Sequence, residues 1–359
     1  MRVVRSLLIV AMAGLVATPA VALTLHIGSQ GDALSMDPHS LAETVQFSVT
    51  GNVYEPLVER NAEFRISPAL ATSWKQTSPT TWHFELRSGV LFHDRTPFTA
   101  DDVIFSWQRA RGEGSDVSFY VQPIRDIVRV NDHAIDIVTH TPFSILPEQL
   151  TNFYIMSKSW CTANQATRPV DRRRGIENTA SFKANGTGPY VVRERVPGVR
   201  TIFRRNPVYW AQIRGNADEV VFSVVSNDAT RSAALMSGEL DVIDPVQDLD
   251  RIKAQPNLQV VEGPENRVIF LGMDQKRNEL LFSSVKGTNP FKDRRVRQAF
   301  YQAIDIEGIR KNATALAGRS NDGIQLLDLI GSESDADANG SHDRATGCRT
   351  AACTGSTSR

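Results

Sequence analysis

Two groups of residues have types and a spacing that could support chemistry. Ser283 and Lys286 have the S-x-x-K spacing of enzymes in which a serine attacks an acyl group, but no S-D-N or K-T-G sequence follows them. His83, His93 and Asp94 carry metal-ligating groups, yet their spacing across a predicted strand and turn specifies no coordination geometry. We therefore predict no enzyme and no metal site, and a secreted serine acylase stays open only as an alternative.

Other motifs of catalysis and cofactor binding are incomplete. Gly186 and Gly188 resemble part of a phosphate-binding loop, but the third glycine is missing and the pair does not join a strand to a crossover helix. Cys161 lies in an apolar and aromatic stretch that is typical of a buried, unreactive thiol. Cys348 and Cys353 lie in a tail without large apolar residues, where a disulfide would stabilise no core. We predict no cofactor.

Strands that could position side chains recur along the chain without an internal repeat. Alternation of apolar and polar residues predicts the strands Leu23–Gly28 and Trp82–Leu86, and strand-like stretches next to turn residues predict the others. The predicted strands are Leu23–Gly28, Trp82–Leu86, Ile124–Val130, Ala134–Val138, Tyr190–Glu194, Val220–Val225 and Leu240–Ile243. Because helices alternate with these strands, the sequence predicts an α/β or mixed α+β fold rather than a β-sandwich.

Four helices are predicted from apolar spacing and from capping residues. Every fourth residue from Leu41 to Leu57 is apolar, which predicts a helix that ends at Pro56. Thr99 followed by two aspartates predicts a helix start, with Val103, Ile104 and Trp107 on the buried face. Asn227 and Gly238 bound another helix. The last predicted helix runs from Asp293 to about Lys311, with an apolar face of Val296, Ala299, Phe300, Ala303 and Ile304.

Composition limits the class of protein. The chain has 359 residues, which is enough for two or three domains. Forty Lys and Arg residues balance 40 Asp and Glu residues, and 41% of the residues are hydrophobic, so a globular protein without the basic excess of a nucleic-acid binder is expected. Ser332–Arg359 contains no Val, Ile, Leu, Met, Phe, Tyr or Trp and cannot contribute to a core.

The first 22 residues have the order of a secretory signal peptide. Two arginines precede an uncharged apolar run from Ser6 to Ala17, and Pro19 and three small or apolar residues follow. We expect cleavage after Ala22 and export to the periplasm. An uncleaved membrane anchor stays open as an alternative, because Ser6–Leu25 carries no charge and nearly reaches the length of a spanning helix.

Residues 68–107 carry the most specific pattern in the sequence. This segment begins PALATSW, ends DDVIFSW, and resembles the signature region of family 5 extracellular solute-binding proteins, the peptide and nickel receptors of ABC importers. Arg95 is a departure, because the family usually has glycine after His-Asp, and the turn there is expected to be altered. Further matches in the family's order are Ser35–His39, Tyr54–Leu57, Gly186–Tyr190, Asn206–Trp210, Ser237–Ile243 and Asp293–Ala299.

The resemblance implies a type II periplasmic binding protein, an α/β clamshell with a subdomain inserted in lobe I. The implied divisions are a signal peptide at 1–22, lobe I at 23–55 and 178–265, the inserted subdomain at 56–177, the hinge and the start of lobe II at 266–312, and a non-homologous tail at 313–359. The family's second lobe continues well beyond this length, whereas the resemblance fades after Asn312. We therefore hypothesise a truncated or frameshifted product with an incomplete second lobe and impaired binding, and apolar periodicity in another reading frame past codon 312 would support this.

The resemblance also implies a function. It implies a monomeric periplasmic component that captures a peptide or a similar small solute for permease subunits in the inner membrane, with no cofactor and no nucleic acid. An opine, a sugar derivative or a metal chelate stays open as the ligand, and a chaperone-like module that binds unfolded protein stays open as another class.

Site residues follow from the same resemblance. The residues implied to line the ligand are Glu43, Thr44, Phe47, Phe119, Tyr120, Phe270 and Met273. Ile269–Met273 is expected to form a strand beside the hinge. The signature residues implied to be structural are Trp74, Trp82, Gly89, Phe92, His93, Asp94, Asp101, Asp102, Gly188, Pro189, Tyr190, Tyr209 and Trp210.

Overall fold

The computed structural model describes residues 22–213, 215–246, 249–261, 270–305 and 308. The chain forms two compact units that divide after Pro245. The predicted signal peptide before Ala22, the predicted tail and its two cysteines lie outside the described residues. Among the described residues, no helix combines the length and the apolar character needed to cross a membrane.

Two sheets organise the first unit. The strands are β1 (Thr24–Ser29), β2 (Val58–Arg60), β3 (Ile66–Pro68), β4 (Ala71–Ser78), β5 (Thr81–Leu86), β6 (Ile124–Asn131), β7 (Ala134–Thr139), β8 (Tyr190–Val196), β9 (Arg200–Arg205), β10 (Glu219–Val224) and β11 (Val242–Asp244). One sheet has five strands in the order β11-β1-β10-β9-β8, and the other has four in the order β4-β5-β7-β6. Strands β2 and β3 form a separate antiparallel pair.

The helices connect and cover these strands. They are α1 (Thr44–Thr50), α2 (Ala100–Ala110), α3 (Ser118–Val121), α4 (Leu146–Gln149), α5 (Lys158–Ala163), α6 (Asp228–Ser237), α7 (Leu249–Lys253) and α8 (Arg294–Ala303). Short 3-10 helices span Leu150–Asn152, Thr179–Ser181 and Pro290–Lys292. As predicted, α2 starts after Thr99, whose backbone N–H donates to Asp102 at 2.9 Å. Gly238 ends α6 in the left-handed conformation, with φ of 80°.

The five-stranded sheet is mixed. Strand β1 pairs in parallel with β10 and with β11, whereas β10, β9 and β8 are antiparallel. A parallel pair needs a crossover, and α6 provides it between β10 and β11. Side chains of this sheet pack against a buried cluster that includes Met36, Val53, Tyr54 and Phe203.

The four-stranded sheet is antiparallel and has one buried face. Phe84, Ile135 and Ile137 belong to a buried cluster that also contains Trp107 of α2. His83, on the opposite face of β5, is half-buried, as the alternation along the strand predicts. The strands of this sheet fall within the predicted inserted subdomain, and those of the five-stranded sheet fall within predicted lobe I. The domain boundaries themselves stay predictions.

The first helix is shorter than predicted. The apolar spacing from Leu41 to Leu57 predicts a helix to Pro56, but α1 ends at Thr50. Asn52 turns back and donates from Nδ2 to the carbonyl of Ser48 at 2.7 Å. The helix ends here because the backbone carbonyls of Asn52 and Val53 accept hydrogen bonds from Tyr190 and Gly188, which are distant in the chain.

The last described helix also differs from the prediction. α8 ends at Ala303 rather than near Lys311, which lies outside the described residues. None of its residues is buried, and Phe300 is 45% exposed. The apolar periodicity therefore located the start of the helix correctly, and its predicted apolar face is not buried among the described residues.

Candidate functional site

The N-terminal end of α1 lies beside the loop that leads into α3, and these two elements form the candidate site. The carboxylate of Glu43 accepts a hydrogen bond from the backbone N–H of Gln46 at 3.4 Å, which caps α1. The backbone N–H of Ala42 donates to Oδ2 of Asp116 at 3.1 Å, which holds the two elements together. Because Glu43 and Thr44 are exposed, a carboxylate and a hydroxyl are available to solvent at this end of the helix.

Three aromatic side chains, Phe47, Phe119 and Tyr120, form a cluster here that we call the aromatic shelf. The ring centroids of Phe47 and Tyr120 are 6.2 Å apart, and those of Phe119 and Tyr120 are 4.0 Å apart. Phe119 is 49% exposed. Tyr154 is buried behind the shelf, with its ring 6.0 Å from that of Phe47. The shelf therefore presents aromatic area on a packed support, and such area can bind an apolar group.

Polar contacts hold the shelf in place. The side-chain amide of Gln149 donates to the carbonyl of Phe119 at 2.7 Å, and that of Asn152 donates to the hydroxyl of Tyr120 at 3.1 Å. Burial raises the pKa of Tyr120, and it raises the pKa of Tyr154 to about 12. Both phenols are therefore neutral at physiological pH, so the shelf can pack and form hydrogen bonds but carries no charge.

A buried ion pair fixes the loop that precedes α1. Arg109 of α2 donates to both carboxylate oxygens of Asp37, at 2.8 and 2.6 Å, and both side chains are fully buried. It also donates to Nδ1 of His39 at 3.0 Å, so Nε2–H of this ring donates to the carbonyl of Tyr154 at 2.9 Å. The network thus joins the loop, α2 and the residue behind the shelf.

The charges in this network follow from its burial. Burial alone would raise the pKa of Asp37, but the Arg109 guanidinium holds it below its ordinary value. Burial and, after it, Arg109 lower the pKa of His39 to about 4. The ring is therefore neutral at pH 7, as its acceptor role toward Arg109 requires.

A second network, around Glu55, supports the segment that follows α1. The Glu55 carboxylate accepts hydrogen bonds from the hydroxyls of Thr187 and Tyr209 and from Nε1 of Trp210, at 2.7, 2.8 and 2.9 Å. Burial raises the pKa of Glu55, and the three donors oppose that effect. The Arg87 guanidinium lies 4.0 Å from the Trp210 ring centroid. Tyr209 and Trp210 therefore act as supports of the chain between α1 and β2.

The Gly-x-Gly motif is a close contact between backbones. The N–H of Gly188 donates to the carbonyl of Val53 at 2.9 Å, and that of Tyr190 donates to Asn52 at 3.0 Å. A Cβ at Gly186 would lie 1.9 Å from the carbonyl oxygen of Val53. The glycines are thus explained by the approach of residues 52–53, in agreement with the rejection of a phosphate loop from the sequence.

The turn around Arg95 packs on the same motif. Nε2 of His93 contacts the carbonyl of Gly188 at 3.0 Å, and the backbone N–H of Asp94 donates to Asn185 at 3.0 Å. Arg95 has φ of 69°, in the left-handed region that favours glycine. The turn therefore has a glycine-type conformation although an arginine occupies it. Gly89, another signature residue, has φ of 76°.

Other signature residues lie in or around the core. The rings of Trp74 and Phe84 stack at 6.4 Å, and Trp82 donates from Nε1 to the carbonyl of Phe143 at 3.1 Å. Phe92 is fully buried.

Asp102 accepts a second backbone hydrogen bond, from Lys158 at 2.9 Å, in addition to capping α2. Its neighbour Asp101 is exposed and pairs with surface cations, and Pro189 is half-buried beside Gly188.

Two of the predicted ligand-lining residues lie in the second unit. Phe270 is 66% exposed and Met273 is half-buried. The predicted strand at Ile269–Met273 is wrong for its described part, because residues 270–273 adopt no regular structure, while Ile269 lies outside the described residues. Glu43, Thr44 and the aromatic shelf are therefore the predicted residues that the first unit brings together.

The residues considered for catalysis and for metal binding have other partners. Nδ1 of His83 contacts Asp136 at 2.6 Å, and its Nε2 contacts Glu85 at 3.0 Å, so the two carboxylates lie on opposite sides of the ring. Across the described part of the chain, no cluster of ligating side chains could hold a metal ion. Ser283 accepts from the N–H of Val285, and Lys286 pairs with Glu279.

The predicted inert thiol is buried. Cys161 is fully buried, and burial raises the pKa of its thiol to about 12. A thiol with this pKa is almost entirely protonated at pH 7 and is a poor nucleophile.

Several supporting residues were missed from the sequence, namely Glu55, Arg109, Asn152 and Tyr154. Arg109 gave no signal of its own, because a lone arginine near the end of a helix is ordinarily solvated. Tyr154 lies in the apolar run 153–156, and this run could have indicated a buried segment behind the site.

Comparisons with known proteins identify the family. A model of the bacterial extracellular solute-binding proteins, family 5 Middle, matches residues 65–342. The chain is similar to the periplasmic oligopeptide-binding protein OppA of Salmonella typhimurium, with 25% identity over 301 residues that make up 79% of this chain and 52% of OppA. It thus spans about half the length of the curated relatives it matches.

Solved structures of periplasmic binding proteins have the same fold. The ABC transporter-associated periplasmic binding protein DppA from Helicobacter pylori, in complex with the peptide STSA, matches with a TM-score of 0.58 and 26% identity, over 66% of this chain and 50% of that one. The dipeptide binding protein of Pseudoalteromonas sp. SM9913, in complex with Met-Leu, matches with a TM-score of 0.66 and 24% identity, over 80% and 58%. The fold is therefore that of type II periplasmic binding proteins, and the chain belongs to the family 5 bacterial extracellular solute-binding proteins.

Proposed function

We propose that this chain is a periplasmic solute-binding component of an ABC importer and that its ligand is a short peptide. The observation that carries the proposal is the aromatic shelf beside the exposed end of α1, in a member of a solute-binding family. Aromatic surface next to an exposed carboxylate and hydroxyl suits a short peptide, whose apolar side chains pack on the rings while its polar groups form hydrogen bonds. The relatives named above, an oligopeptide-binding protein and two proteins solved with peptides, support this ligand class.

Further parts of the proposal concern the form in which the protein acts. We infer cleavage after Ala22, a monomer, and transfer of the solute to permease subunits in the inner membrane. The chain would bind without chemistry, since Ser283 and Lys286 have other partners and the Cys161 thiol is buried. The division into lobe I and an inserted subdomain at 56–177 belongs to the same proposal, and the two separate sheets of the first unit support it.

Binding of defined peptide pools tests the proposed ligand class. Purified protein starting at Leu23 would be mixed with pools of short peptides and followed by native mass spectrometry and thermal unfolding. With each peptide pool at about 1 mM or above, we expect one peptide per chain and only a small rise in the melting temperature, because a ligand that binds only the native state stabilises it in proportion to the logarithm of its concentration over its Kd. A complete lack of complexes with peptides of any length would overturn the proposal.

Two matched variants connect binding with the aromatic shelf. Phe119→Ala removes an aromatic ring from the shelf, and we expect about a tenfold rise in the peptide Kd, which corresponds to about 1.4 kcal/mol of lost contact. Phe182→Ala is the control, because Phe182 is 51% exposed, nearly the same as Phe119, but does not belong to the shelf. Equal effects of the two variants would argue against the shelf as the binding surface.

The alternatives left by the sequence have distinct outcomes. A chaperone-like module would bind unfolded chains regardless of their length and would not show a one-to-one complex. A serine acylase would be labelled by a fluorophosphonate or a β-lactam, whereas a receptor would not react. Impaired binding, expected from the sequence, predicts a peptide Kd of about 1 mM, whereas a value of about 1 μM would contradict it.

A further inference from the structure

The first residue after the predicted cleavage bond is bound to the five-stranded sheet through its own backbone. The N–H of Leu23 donates to Oδ2 of Asp218 at 3.1 Å, and its carbonyl accepts from the N–H groups of Asp218 and Glu219 at 2.8 and 3.2 Å. The next residue, Thr24, pairs with Glu219 at the start of the parallel ladder between β1 and β10. Ala22, on the other side of the bond, is exposed. The bond between Ala22 and Leu23 therefore lies where the chain joins the sheet.

The carboxylate of Asp218 is held in position by the adjacent strand β9. Its Oδ1 lies 3.4 Å from Nε of Arg205, and its backbone carbonyl accepts from the Arg205 N–H at 2.8 Å. The guanidinium of Arg205 is fixed in turn, because it donates to the carbonyls of Ala217 and Gly215 at 3.2 and 2.9 Å. Arg205 thus engages one oxygen of the carboxylate, and the other is the oxygen that Leu23 contacts.

Cleavage would change the charge on the nitrogen of Leu23. In the uncleaved chain this nitrogen is a neutral amide, whereas cleavage after Ala22 turns it into an α-ammonium group with an ordinary pKa of about 8. Because a carboxylate oxygen of Asp218 already lies 3.1 Å away, the existing hydrogen bond would become charge-assisted, and such bonds are stronger than neutral ones. No rearrangement of the backbone is needed, since the same two atoms form the contact before and after cleavage.

We propose that Asp218 is a binding site for the α-ammonium group that removal of the signal peptide creates, and that this ion pair fastens β1 to the sheet in the processed chain alone. This inference rests on the proposed function, of which cleavage after Ala22 is a part, but it does not depend on the ligand. The processed chain holds its first strand more firmly than the precursor does. Cleavage at another bond would place the ammonium group away from this carboxylate.

Asp241 offers a matched control beside the other neighbour of β1. It precedes β11 as Asp218 precedes β10, and its Oδ2 accepts from the backbone N–H of His26 at 2.8 Å. Its own N–H donates to the carbonyl of His26 at 2.8 Å, which repeats the contact between Asp218 and Leu23. Because the nitrogen of His26 stays an amide after cleavage, Asp241 gains no charged partner from processing.

A double-mutant cycle in thermal unfolding tests the proposal. One parent chain starts at Leu23 and the other at Ala20, and both are released from a cleavable fusion so that no methionine precedes them. In the longer chain the nitrogen of Leu23 stays a neutral amide. Asp218→Asn keeps an oxygen acceptor but removes the charge.

We expect Asp218→Asn to lower the melting temperature by about 2 °C more in the chain that starts at Leu23 than in the chain that starts at Ala20. The difference is small because the Asp218 side chain is 49% exposed. It should disappear in about 1 M sodium chloride, which screens exposed charges. Asp241→Asn should lower the melting temperature equally in both chains. Equal losses from Asp218→Asn in the two chains, or an additional loss of the same size from Asp241→Asn, would overturn the ion pair.

The reactivity of the α-amine gives a second measurement that needs no variant. At about pH 7 an acylating reagent should modify the folded chain that starts at Leu23 about threefold more slowly than a free peptide of residues 23–26, because the ion pair keeps the amine protonated. High salt should remove this difference. Equal rates at low salt would overturn the ion pair even if Asp218→Asn does not fold.

Mass spectrometry of the exported protein separates this inference from the proposed function. An N-terminus at Leu23 supports the role of the ion pair in the cell. A different N-terminus, or an uncleaved anchor, overturns that role together with the proposed cleavage, whatever the melting temperatures show. An N-terminus at Leu23 without the difference in melting temperature overturns the ion pair alone, and a lack of peptide binding contradicts only the proposed ligand.

Discussion

The guanidinium of Arg109 has an effect beyond its own helix, because its partners belong to segments that are distant in the chain. It donates hydrogen bonds to the carboxylate of Asp37, to Nδ1 of the neutral His39 ring, and to the carbonyl of Ala166 at 2.9 Å. A single buried cation thus sets the path of the loop that leads to the candidate site. Burying this cation costs desolvation free energy, and the cost is offset only because nearly every N–H of the guanidinium has an acceptor.

Acid should weaken the protein through His39. The pKa of this ring is about 4 in the folded chain, whereas an exposed histidine in the unfolded chain has its ordinary pKa of 6.5. Between these two pH values the unfolded chain therefore binds more protons than the folded chain. The free energy of unfolding should therefore fall as pH is lowered, by about 2 kcal/mol between about pH 7 and about pH 4.5. Urea denaturation at about pH 7 and at about pH 4.5 measures this loss.

A variant without the titrating ring is the control for this prediction. His39→Gln keeps a side chain with a donor and an acceptor but has no pKa in this range. Its stability should therefore change less between the two pH values than that of the parent chain. An equal pH dependence in both proteins would show that other groups cause the acid sensitivity.

Arg95 offers a way to stabilise the protein. Its φ of 69° strains a residue with a Cβ but not a glycine, and its side chain is exposed. We expect Arg95→Gly to be more stable than Arg95→Ala by about 1 kcal/mol, because only glycine relieves the strain. Thermal unfolding of the two variants gives the comparison, and a more stable alanine variant would contradict it.

Individual residues were predictable from the sequence where a local pattern reported their role. Cys161 was predicted to be buried from its apolar neighbours, and Arg95 was noticed because glycine usually occupies that turn. Glu55 and Arg109 were not predictable, because their role depends on partners more than 70 residues away in the chain. No local spacing of charged residues reports such contacts.

At the scale of elements, the turn at residues 186–188 leaves no room for a side chain at Gly186. A Cβ there would lie nearer to a neighbouring atom than at any other described glycine. The backbone of this turn lies against residues 52–53, and this contact explains why α1 stops at Thr50. The turn also carries Thr187, which contacts Glu55, and leads into β8. Two segments that belong to predicted lobe I are therefore joined by direct backbone contact.

A methyl group at this contact should be destabilising. Gly186→Ala would place Cβ 1.9 Å from the carbonyl oxygen of Val53, and backbone atoms must shift to accept it. We expect a loss of about 3 kcal/mol in the free energy of unfolding, measured by urea denaturation. Gly215→Ala is the control, because a Cβ there would meet only the Tyr190 hydroxyl, at 3.8 Å, and it should cost less than about 1 kcal/mol. Similar losses in both variants would argue against the contact.

The predicted strands overlap β1, β5, β6, β7, β8, β10 and β11, whereas β2, β3, β4 and β9 were not predicted. Alternation along β5 or β7 directly reports which face is buried, so the local pattern suffices. The apolar spacing from Leu41 to Leu57 continued past the true end of α1, because the end is set by the distant glycine turn and not by local periodicity. In α8 the periodicity predicted the helix, but burial of its face needs a partner that no periodicity specifies.

At the scale of the whole molecule, the two units differ in how much core they contain. The buried residues of both hydrophobic clusters lie between Ala33 and Phe203, within the first unit. In the second unit, large apolar side chains such as Phe270 and Phe282 are exposed, the latter completely. The first unit therefore contains the material for independent stability.

The first unit should fold without the second. A chain of residues 23–245 retains both clusters and both sheets, so we expect cooperative thermal unfolding and a melting temperature within about 5 °C of that of the longer chain. Near-ultraviolet circular dichroism would show whether the aromatic side chains keep their fixed packing. A broad, non-cooperative transition would show that the second unit is needed for the fold of the first.

The pairing of β1 with β10 also has a consequence for the order of folding. Strand β1 is the first described strand, and the contact between Leu23 and Asp218 beside it closes a separation of 195 residues. The four-stranded sheet, in contrast, is complete once Thr139 is available. During synthesis or export from the N-terminus, β1 must wait for most of the chain, so high contact order predicts that the five-stranded sheet forms late and slowly.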